Sequence, residues 1–590
     1  MAGRRYAPAV EAIAMNSPAS ALPFQPGVRP NRRRRWPSAR FHAKGYFLSV
    51  LMMMLTGCTS VSEYVHNGFK VGPNYGKPPA LVAPGWIDAT DVRVRSDTDD
   101  LSQWWKVFND PVLDDLVCHA YRQNLTLREA GFRVLQARAE FGVTVGELFP
   151  QSQTVNASYT RNASSIAALL GGPIGSLASG FGGSGGVPPI AQYFDQATVS
   201  LGLAWELDFW GRFRRAVEAS SADLDASVEN YDDVLVTLLS DVANNYVQFR
   251  VLEQQIELLN ENAEVQQESV RVAQARFDVE AKDSKIDLPQ AKSTLSQTLA
   301  QIPATEIRLR ARTNRLCVLL GIPPEDLQAR LAKATIPNAP KTAAAGIPAD
   351  LLRRRPDIRR AERQAAAECA RIGVAQAQLY PHISLNGSLG WQAPKIQQLF
   401  TKPALQGNFG PSLQWDVLNY GRILNKIRAQ RARFEEVVTT YQDKVLIAAE
   451  EVENGVAAFL KSQEQVKYLT KSVNEAEKAR DVGAAQYKGG QIDYNRLAVL
   501  QLNLVQQQNL LAQARGDIAL GLIQVYRALG GGWQIRCTGC EAPGAFPSGS
   551  TFSTKADCRP SEGAEPTQSQ LATGIRIDFG VPRAVSLPEK

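Results

Sequence analysis

From Arg212 to Phe277 the chain runs without a proline or a glycine, and apolar residues recur at helical spacing through Val234, Leu238, Leu239, Val242, Tyr246, Phe249 and Leu252. At about 1.5 Å per residue, one continuous helix over this stretch reaches roughly 100 Å. A break near Asp278–Asp287 precedes a return helix to Leu320, which Gly321-Ile322-Pro323-Pro324 ends. The plan recurs later: a helix from Arg422 to Tyr487, a break at Lys488-Gly489-Gly490, and a return to Leu529 before Gly530-Gly531-Gly532. Hairpins this long, with mixed polar faces, suit neither a globular core nor a lipid core. They need neighbours side by side, as in a coiled-coil wall.

The two hairpins belong to a duplication. Trp205-Glu206-Leu207-Asp208-Phe209-Trp210-Gly211-Arg212 aligns with Trp415-Asp416-Val417-Leu418-Asn419-Tyr420-Gly421-Arg422 at a shift of 210. Phe249 aligns with Phe459 at the same shift, and Leu148-Phe149-Pro150 aligns with Leu379-Tyr380-Pro381 at a larger one because the first loop is longer. Each copy opens with two segments of strict alternation. In Tyr193–Phe209, Val199, Leu201, Leu203, Trp205 and Leu207 alternate with Thr198, Ser200, Gly202 and Glu206. Gly407–Leu418, Gln151–Tyr159 and Pro381–Trp391 follow the same rule. Period two over about ten residues suits a barrel strand with lipid on one side and water on the other, although a half-buried sandwich strand gives the same pattern. The connecting segments Ile166–Ile190 and Ala393–Gln406 are expected to be mobile surface loops. Four strands cannot close a bacterial barrel, which begins at about eight, and an open sheet in lipid leaves backbone groups unsatisfied. If these strands span a membrane, several chains must share one barrel.

Charge is concentrated at the start. Of 65 Lys+Arg and 58 Asp+Glu in 590 residues, nine cations and only Glu11 precede Cys58. An apolar run, Gly45 to Leu55, then leads into Thr56-Gly57-Cys58. Cations, a short apolar stretch and small residues describe a secretory signal, and the run is too short to span a bilayer. Leu55-Thr56-Gly57-Cys58 matches the bacterial lipobox, so Cys58 is expected to be acylated and to begin the mature chain. Thr59 follows where inner-membrane lipoproteins usually carry Asp, which favours the outer membrane. Loss of the leader brings the mature chain close to neutral, and the basic balance that would have suggested a nucleic-acid partner disappears.

Chemistry-bearing patterns are sparse, and no catalytic residue, metal site or cofactor is expected. His42, His66, His119 and His382 are not paired at metal spacing. Gly180-Phe181-Gly182-Gly183-Ser184-Gly185 satisfies a dinucleotide pattern but runs into Val187-Pro188-Pro189 instead of a helix. Cys118, Cys317 and Cys369 read as buried small apolar residues. Cys537 and Cys540, with Cys558, lie in a Pro/Ser/Gly-rich tail that can carry a disulfide in an exported protein.

Four further segments carry a family resemblance: Val71-Gly72-Pro73-Asn74-Tyr75, Trp104-Trp105-Lys106-Val107-Phe108-Asn109-Asp110-Pro111, Leu351-Leu352-Arg353-Arg354-Arg355-Pro356-Asp357-Ile358-Arg359-Arg360-Ala361-Glu362, and Ala528-Leu529-Gly530-Gly531-Gly532-Trp533. With the lipobox, they make the chain from Cys58 to Trp533 resemble TolC-like outer membrane factors of the NodT lipoprotein type. The resemblance implies a mixed α/β membrane protein and a homotrimer whose chains each give four strands to one twelve-stranded barrel. The helices would continue it as a periplasmic coiled-coil tunnel with an equatorial region. Implied partners are outer-membrane lipid, a periplasmic adaptor (a membrane fusion protein) and an inner-membrane pump of the resistance-nodulation-division type. The resemblance places the periplasmic gate at Tyr487, Asp493, Tyr494 and Arg496, with Asp493 as a three-fold acidic constriction, and adaptor contacts at Asp283, Lys285, Gly489 and Gly490. Two departures stand out. Val499 and Gln501 occupy positions where many relatives carry a second acid, and the turn Asp278–Lys285 lacks the glycine common there.

The expected organisation is a leader (1–57), a lipidated segment with equatorial helices (58–149), repeat one (150–321), a linker with a helix (322–380), repeat two (381–533) and a flexible tail (534–590). The expected function is a passive outer-membrane exit duct for small molecules. The alternatives are the exit duct of a type I protein secretion system and a periplasmic coiled-coil tether without a pore.

Overall fold

The computed structural model describes residues 61–95, 97, 100–163, 193–278 and 284–540. The described chain starts with a short helix α1 (Val61–His66) and an extended strap that reaches a two-residue strand β1 (Val94–Arg95). A tight 3-10 turn over Trp104–Phe108 leads into helix α2 (Pro111–Gln123). Asp110 caps α2 by accepting from the Val112 and Leu113 amides, with Pro111 at the first helical position. Asn124 ends α2 and starts α3 (Leu125–Gly146), its side chain accepting from the Leu127 amide. Repeat one follows as strands β2 (Ser152–Ala163) and β3 (Tyr193–Leu207) and helices α4 (Arg212–Asp278) and α5 (Ser284–Leu320). The linker holds α6 (Gln328–Leu331), β4 (Ala343–Ala344), α7 (Leu351–Arg354) and α8 (Pro356–Ala377). Repeat two supplies β5 (His382–Ala393), β6 (Leu405–Gln414), α9 (Arg422–Lys488) and α10 (Tyr494–Ala528), and a last short helix α11 covers Ile535–Thr538. Among the described residues no helix is long and apolar enough to cross a membrane.

The four long strands form one antiparallel sheet in the order β2-β3-β5-β6, so the two repeats join at β3 and β5. Its register sorts the alternating residues onto two faces. One rung aligns Val155, Leu201 and Leu389, and another aligns Leu207, Ile383 and Leu413. Across the other face a rung runs Thr154, Gly202, Ser388 and Asn408, and Ser388 donates to Asn408 at 2.9 Å. The apolar face is left uncovered: Val155 is 75% exposed, Phe409 71% and Leu413 66%. Both repeats turn into the sheet by the same contact, since the Trp205 indole donates to the Leu148 carbonyl at 3.3 Å and that of Trp415 to Leu379 at 3.0 Å.

Two expectations about this region are corrected. Strand β6 ends at Gln414 although the alternation runs on to Leu418. Among the described residues it is an edge strand with β5 as its one neighbour, and β5 begins at His382 opposite Gln414, so residues beyond have no ladder to join. The 393–406 connection, expected to be mobile, is built from two 3-10 turns, and Leu399 packs against Ala197 and Ala393. The Ile166–Ile190 loop lies outside the described residues, as do the leader and Cys58.

The main apolar core lies at mid-molecule, where α2, α4, α5, α8, α9 and α10 meet; we call it the waist. Leu235, Leu239, Val242, Tyr246 and Phe249 of α4 interlock there with Leu116, Leu316, Leu320, Phe459, Leu522 and Tyr526. The motif residues converge on it from distant parts of the chain. Trp104 stacks edge-on against Trp105 (6.0 Å) and lies 5.7 Å from Tyr526. Gly532 takes φ +100, and a Cβ there would come within 2.6 Å of Leu239 and 3.2 Å of the Trp104 indole, so only glycine fits. Arg355 is buried among Asp357 (2.7 Å), Glu451 (2.6 Å) and the Ala528 carbonyl (2.8 Å). Asp232, at 1% exposure, lies between Arg536 (2.8 Å) and Arg359 (3.6 Å), while Glu229 pairs with Arg359 at 2.6 Å.

The strap ties both repeats to this waist. Tyr64 donates to the Phe209 carbonyl at 2.6 Å, and Arg215 holds the carbonyls of Val71 (3.2 Å) and Gly72 (3.0 Å). Gly72, at φ +94, abuts Gly373 so closely that a Cβ would lie 2.4 Å from its Cα. Farther along, Trp86 donates to the Gly346 carbonyl (2.9 Å), Arg93 to that of Leu460 (3.2 Å), and β1 pairs in parallel with β4.

Candidate functional site at the hairpin tips

The free ends of the two hairpins, where α4 gives way to α5 and α9 to α10, form a second and smaller apolar cluster: Ala273, Leu288, Ala291, Tyr487, Tyr494, Leu497 and Ala498. The second tip turns because Gly490 adopts φ +75, which closes α9 with the Gly490 amide on the Tyr487 carbonyl (3.0 Å). Asp493 then caps α10, its carboxylate accepting from the Arg496 amide at 3.2 Å.

Tyr487 and Tyr494 are both fully buried, with rings edge to face at 5.6 Å. Asp287, on the first turn of α5 and 8% exposed, joins the two tips. It accepts from the Tyr487 hydroxyl and from the Tyr494 amide, each at 3.4 Å. On the other side, the Arg276 guanidinium stands 4.4 Å over the Tyr487 ring and donates to the Tyr487 carbonyl. Burial, followed by the Asp287 carboxylate, pushes the Tyr487 phenol up to about 12, with Arg276 acting in the opposite sense. Burial also raises Tyr494.

Above this cluster the seam between the hairpins is polar. Gln501 accepts from Tyr494 (3.3 Å) and donates to Ser269 (2.9 Å). Asn262 donates to Gln508 (2.6 Å), and Gln255 to the Asn509 carbonyl (3.4 Å). Gln290 of α5 reaches Asn495 of α10 at 2.9 Å.

The residues singled out by sequence therefore divide. Tyr487 and Tyr494 face inward and hold one tip to the other. Asp493, Arg496, Lys285, Gly489 and Gly490 lie on the exposed surface of the tips, and Asp283 falls outside the described residues. Sequence reasoning missed Asp287, Arg276 and Ser269. The available signal was a heptad-like spacing of polar residues on α4, Gln255, Asn262, Gln266 and Ser269.

Compared with known proteins, residues 116–322 and 347–531 match the family described as outer membrane efflux protein. The chain belongs to the outer membrane efflux protein family. Among similar members, the pyoverdine export outer membrane protein OpmQ of Pseudomonas aeruginosa is 30% identical over 75% of this chain and 89% of its own length. Nodulation protein T of Rhizobium leguminosarum bv. trifolii is 28% identical over 83% of this chain and 97% of its own. The solved outer-membrane channel OprN superposes with a TM-score of 0.70 at 31% identity, covering 79% of this chain and 99% of that one. The efflux family is an outer-membrane one, and the shared fold accounts for the one-sided sheet and the paired hairpins together. Among the described residues no group of His, Cys, Asp and Glu side chains could hold a metal ion.

Proposed function

We propose that this protein is the outer-membrane duct of a tripartite efflux system, acylated at Cys58 and assembled as a homotrimer. The observation that carries this reading is the open sheet. Its edges, β2 and β6, each lack a neighbour on one side among the described residues, and much of one face is apolar and exposed, at Val155, Leu389, Phe409 and Leu413. In lipid every backbone donor and acceptor must be paired, so β6 of one copy has to meet β2 of the next until the ring closes. Three copies give a twelve-stranded barrel with the Val155–Leu201–Leu389 rung facing lipid and the Thr154–Ser388–Asn408 rung facing water.

Below the barrel, the hairpins of three copies form the tunnel wall and the tips form its gate. Tyr487, Asp287 and Arg276 hold the tips closed within each copy, and the three Asp493 carboxylates ring the periplasmic mouth and favour cations. A periplasmic adaptor meets the exposed residues Lys285, Gly489 and Gly490 together with Asp283, and an inner-membrane pump supplies the energy. Cargo is small molecules; pyoverdine export in a relative's name supports that class.

Reconstitution of the purified trimer into planar bilayers tests the reading. Discrete, cation-preferring conductance steps are expected. A correctly trimeric preparation that stays silent, with Tyr487→Phe and Arg276→Ala variants equally silent, would overturn it. Mass spectrometry of the mature amino terminus checks Cys58, since a chain that begins elsewhere and carries no lipid removes the anchor.

A further inference from the structure

The family match stops at residue 531, and the chain continues for a further 59 residues. The first of these were expected to belong to a flexible tail, yet residues 534–540 are docked on the waist. Trp533 lies under the Arg359 guanidinium at 4.5 Å. Ile535 is fully buried in the main core. Arg536 makes two hydrogen bonds to Asp232, at 2.8 and 3.2 Å, and Arg122 of α2 donates to the Cys540 carbonyl at 2.7 Å. Cys118, expected to be a buried small apolar residue, is buried but forms a disulfide with Cys540, with Cα atoms 5.6 Å apart and a sequence separation of 422. Cys317 and Cys369 remain free thiols, whereas Cys537 is disulfide-bonded as well.

We propose that residues 534–540 are a latch set by oxidation: the Cys118–Cys540 bond fixes the root of the C-terminal extension on α2, and reduction releases that root while the waist stays folded. Cys118 is 4% exposed and Cys540 is half-buried, so the bond is approached from the Cys540 side. An incoming thiolate attacks the Cys540 sulfur, the Cys118 sulfur leaves and takes up a proton, and a second thiol then resolves the mixed disulfide. Formation is the reverse. A protein disulfide in the exported compartment accepts two electrons and two protons from the Cys118 and Cys540 thiols and is reduced to a dithiol. Among the described contacts, Ile535, the Arg536–Asp232 pair, the Arg122 contact and the packing of Cys540 on the core remain in the reduced latch. These contacts are lost on unfolding, while the Cys118–Cys540 disulfide also closes the long stretch between them in the unfolded chain.

Trypsin reads the latch directly, because the bond after Arg536 is protected when Arg536 sits on Asp232. The full-length protein, in detergent, is digested without reductant and after dithiothreitol. The unreduced digest should contain a linked peptide holding Cys118 and Cys540. Cleavage after Arg536 should be about tenfold or more faster after reduction, with cleavage elsewhere in the waist unchanged. A Cys118→Ser/Cys540→Ser protein should be cut at the fast rate with or without reductant, and Cys537→Ser should retain the protection of the unreduced protein. Alkylation of Cys118 or Cys540 in the native, unreduced protein would overturn the proposal. So would an unchanged rate after reduction, a general collapse of the waist, or loss of protection in Cys537→Ser.

Discussion

The same helix behaves differently along its length. In the waist, α4 presents Leu235, Leu239, Val242, Tyr246 and Phe249 to neighbours that interlock with them. Towards the tip, its buried residues include Gln255, Asn262, Gln266 and Ser269. Large apolar side chains give a close-packed, non-directional hold that resists any displacement. A polar seam gives discrete partners that fix register at a cost in stability, and water can replace them when the seam opens. A hairpin anchored at one end and zipped by hydrogen bonds at the other has its place of opening written along its helix.

Four experiments break or sharpen that contrast. The largest effect is expected from Phe249→Ala, which empties a 1%-exposed site in the waist and should cost about 3–5 kcal/mol; thermal unfolding should show lost or greatly weakened assembly. Asp287→Asn, at the tip, should cost about 1–3 kcal/mol locally and raise the open probability of the channel while leaving the global melting temperature nearly unchanged. If Asp287→Asn lowers that temperature as far as Phe249→Ala does, the two regions are one cooperative unit and the contrast fails. Gln266 is 1% exposed, and neither of its amide atoms has a hydrogen-bond partner among the described residues. Gln266→Leu should therefore stabilise the seam by about 1 kcal/mol and slow opening in single-channel records. Asp493 separates cap from charge: Asp493→Ser keeps a capping oxygen, whereas Asp493→Ala loses about 1 kcal/mol. Both should weaken cation preference alike, and unchanged selectivity in both would leave Asp493 as a cap alone.

The two regions also respond to opposite ends of the pH scale. Burial, against the pull of Arg359, pushes the Glu229 carboxyl in the waist up to about 7, so the folded state favours the protonated acid. Its contribution is full below the ordinary value of 4.5 and declines as pH rises through 7. Tyr487 at the tip is likewise favoured in its neutral form, and that contribution is full below 10.0 and lost as pH rises through about 12. Melting temperature should fall by about a few degrees between pH 4.5 and 7.5, with Glu229→Gln reducing the slope and the other carboxyls raised by burial, Asp232 and Asp233 among them, keeping the rest. Tip opening, followed by conductance, should be insensitive over that range.

Much of this fold was legible because it repeats over long distances. The α4 boundaries, read as Arg212 to about Phe277, fall at Arg212–Asp278, and the second hairpin breaks at Lys488 as the Gly489-Gly490 pair required. The alternating segments became the one-sided sheet, since period two allows only two faces. The contacts that cross repeats were not legible. Asp287 and Tyr487 are 200 residues apart, and nothing local in either marks the other. Asp493 was marked from the resemblance as an acidic constriction, and within the chain its side chain caps α10. Cys118 looked like any small core residue because its partner lies 422 positions away, past the end of the family match.

The strap has a mechanical consequence. Its links run from the end of β3 at Phe209, through the start of α4 at Arg215, to Gly346, β4 and the Leu460 carbonyl in the waist. None of them reaches residues 484–498 or 270–291 at the tips. A pull on the amino end of the described chain is therefore borne in series by the sheet base and the waist, like a guy rope fastened to a mast below its top. Such a load stiffens the stationary part and leaves the moving ends slack, so tension and opening are carried by separate parts of one chain.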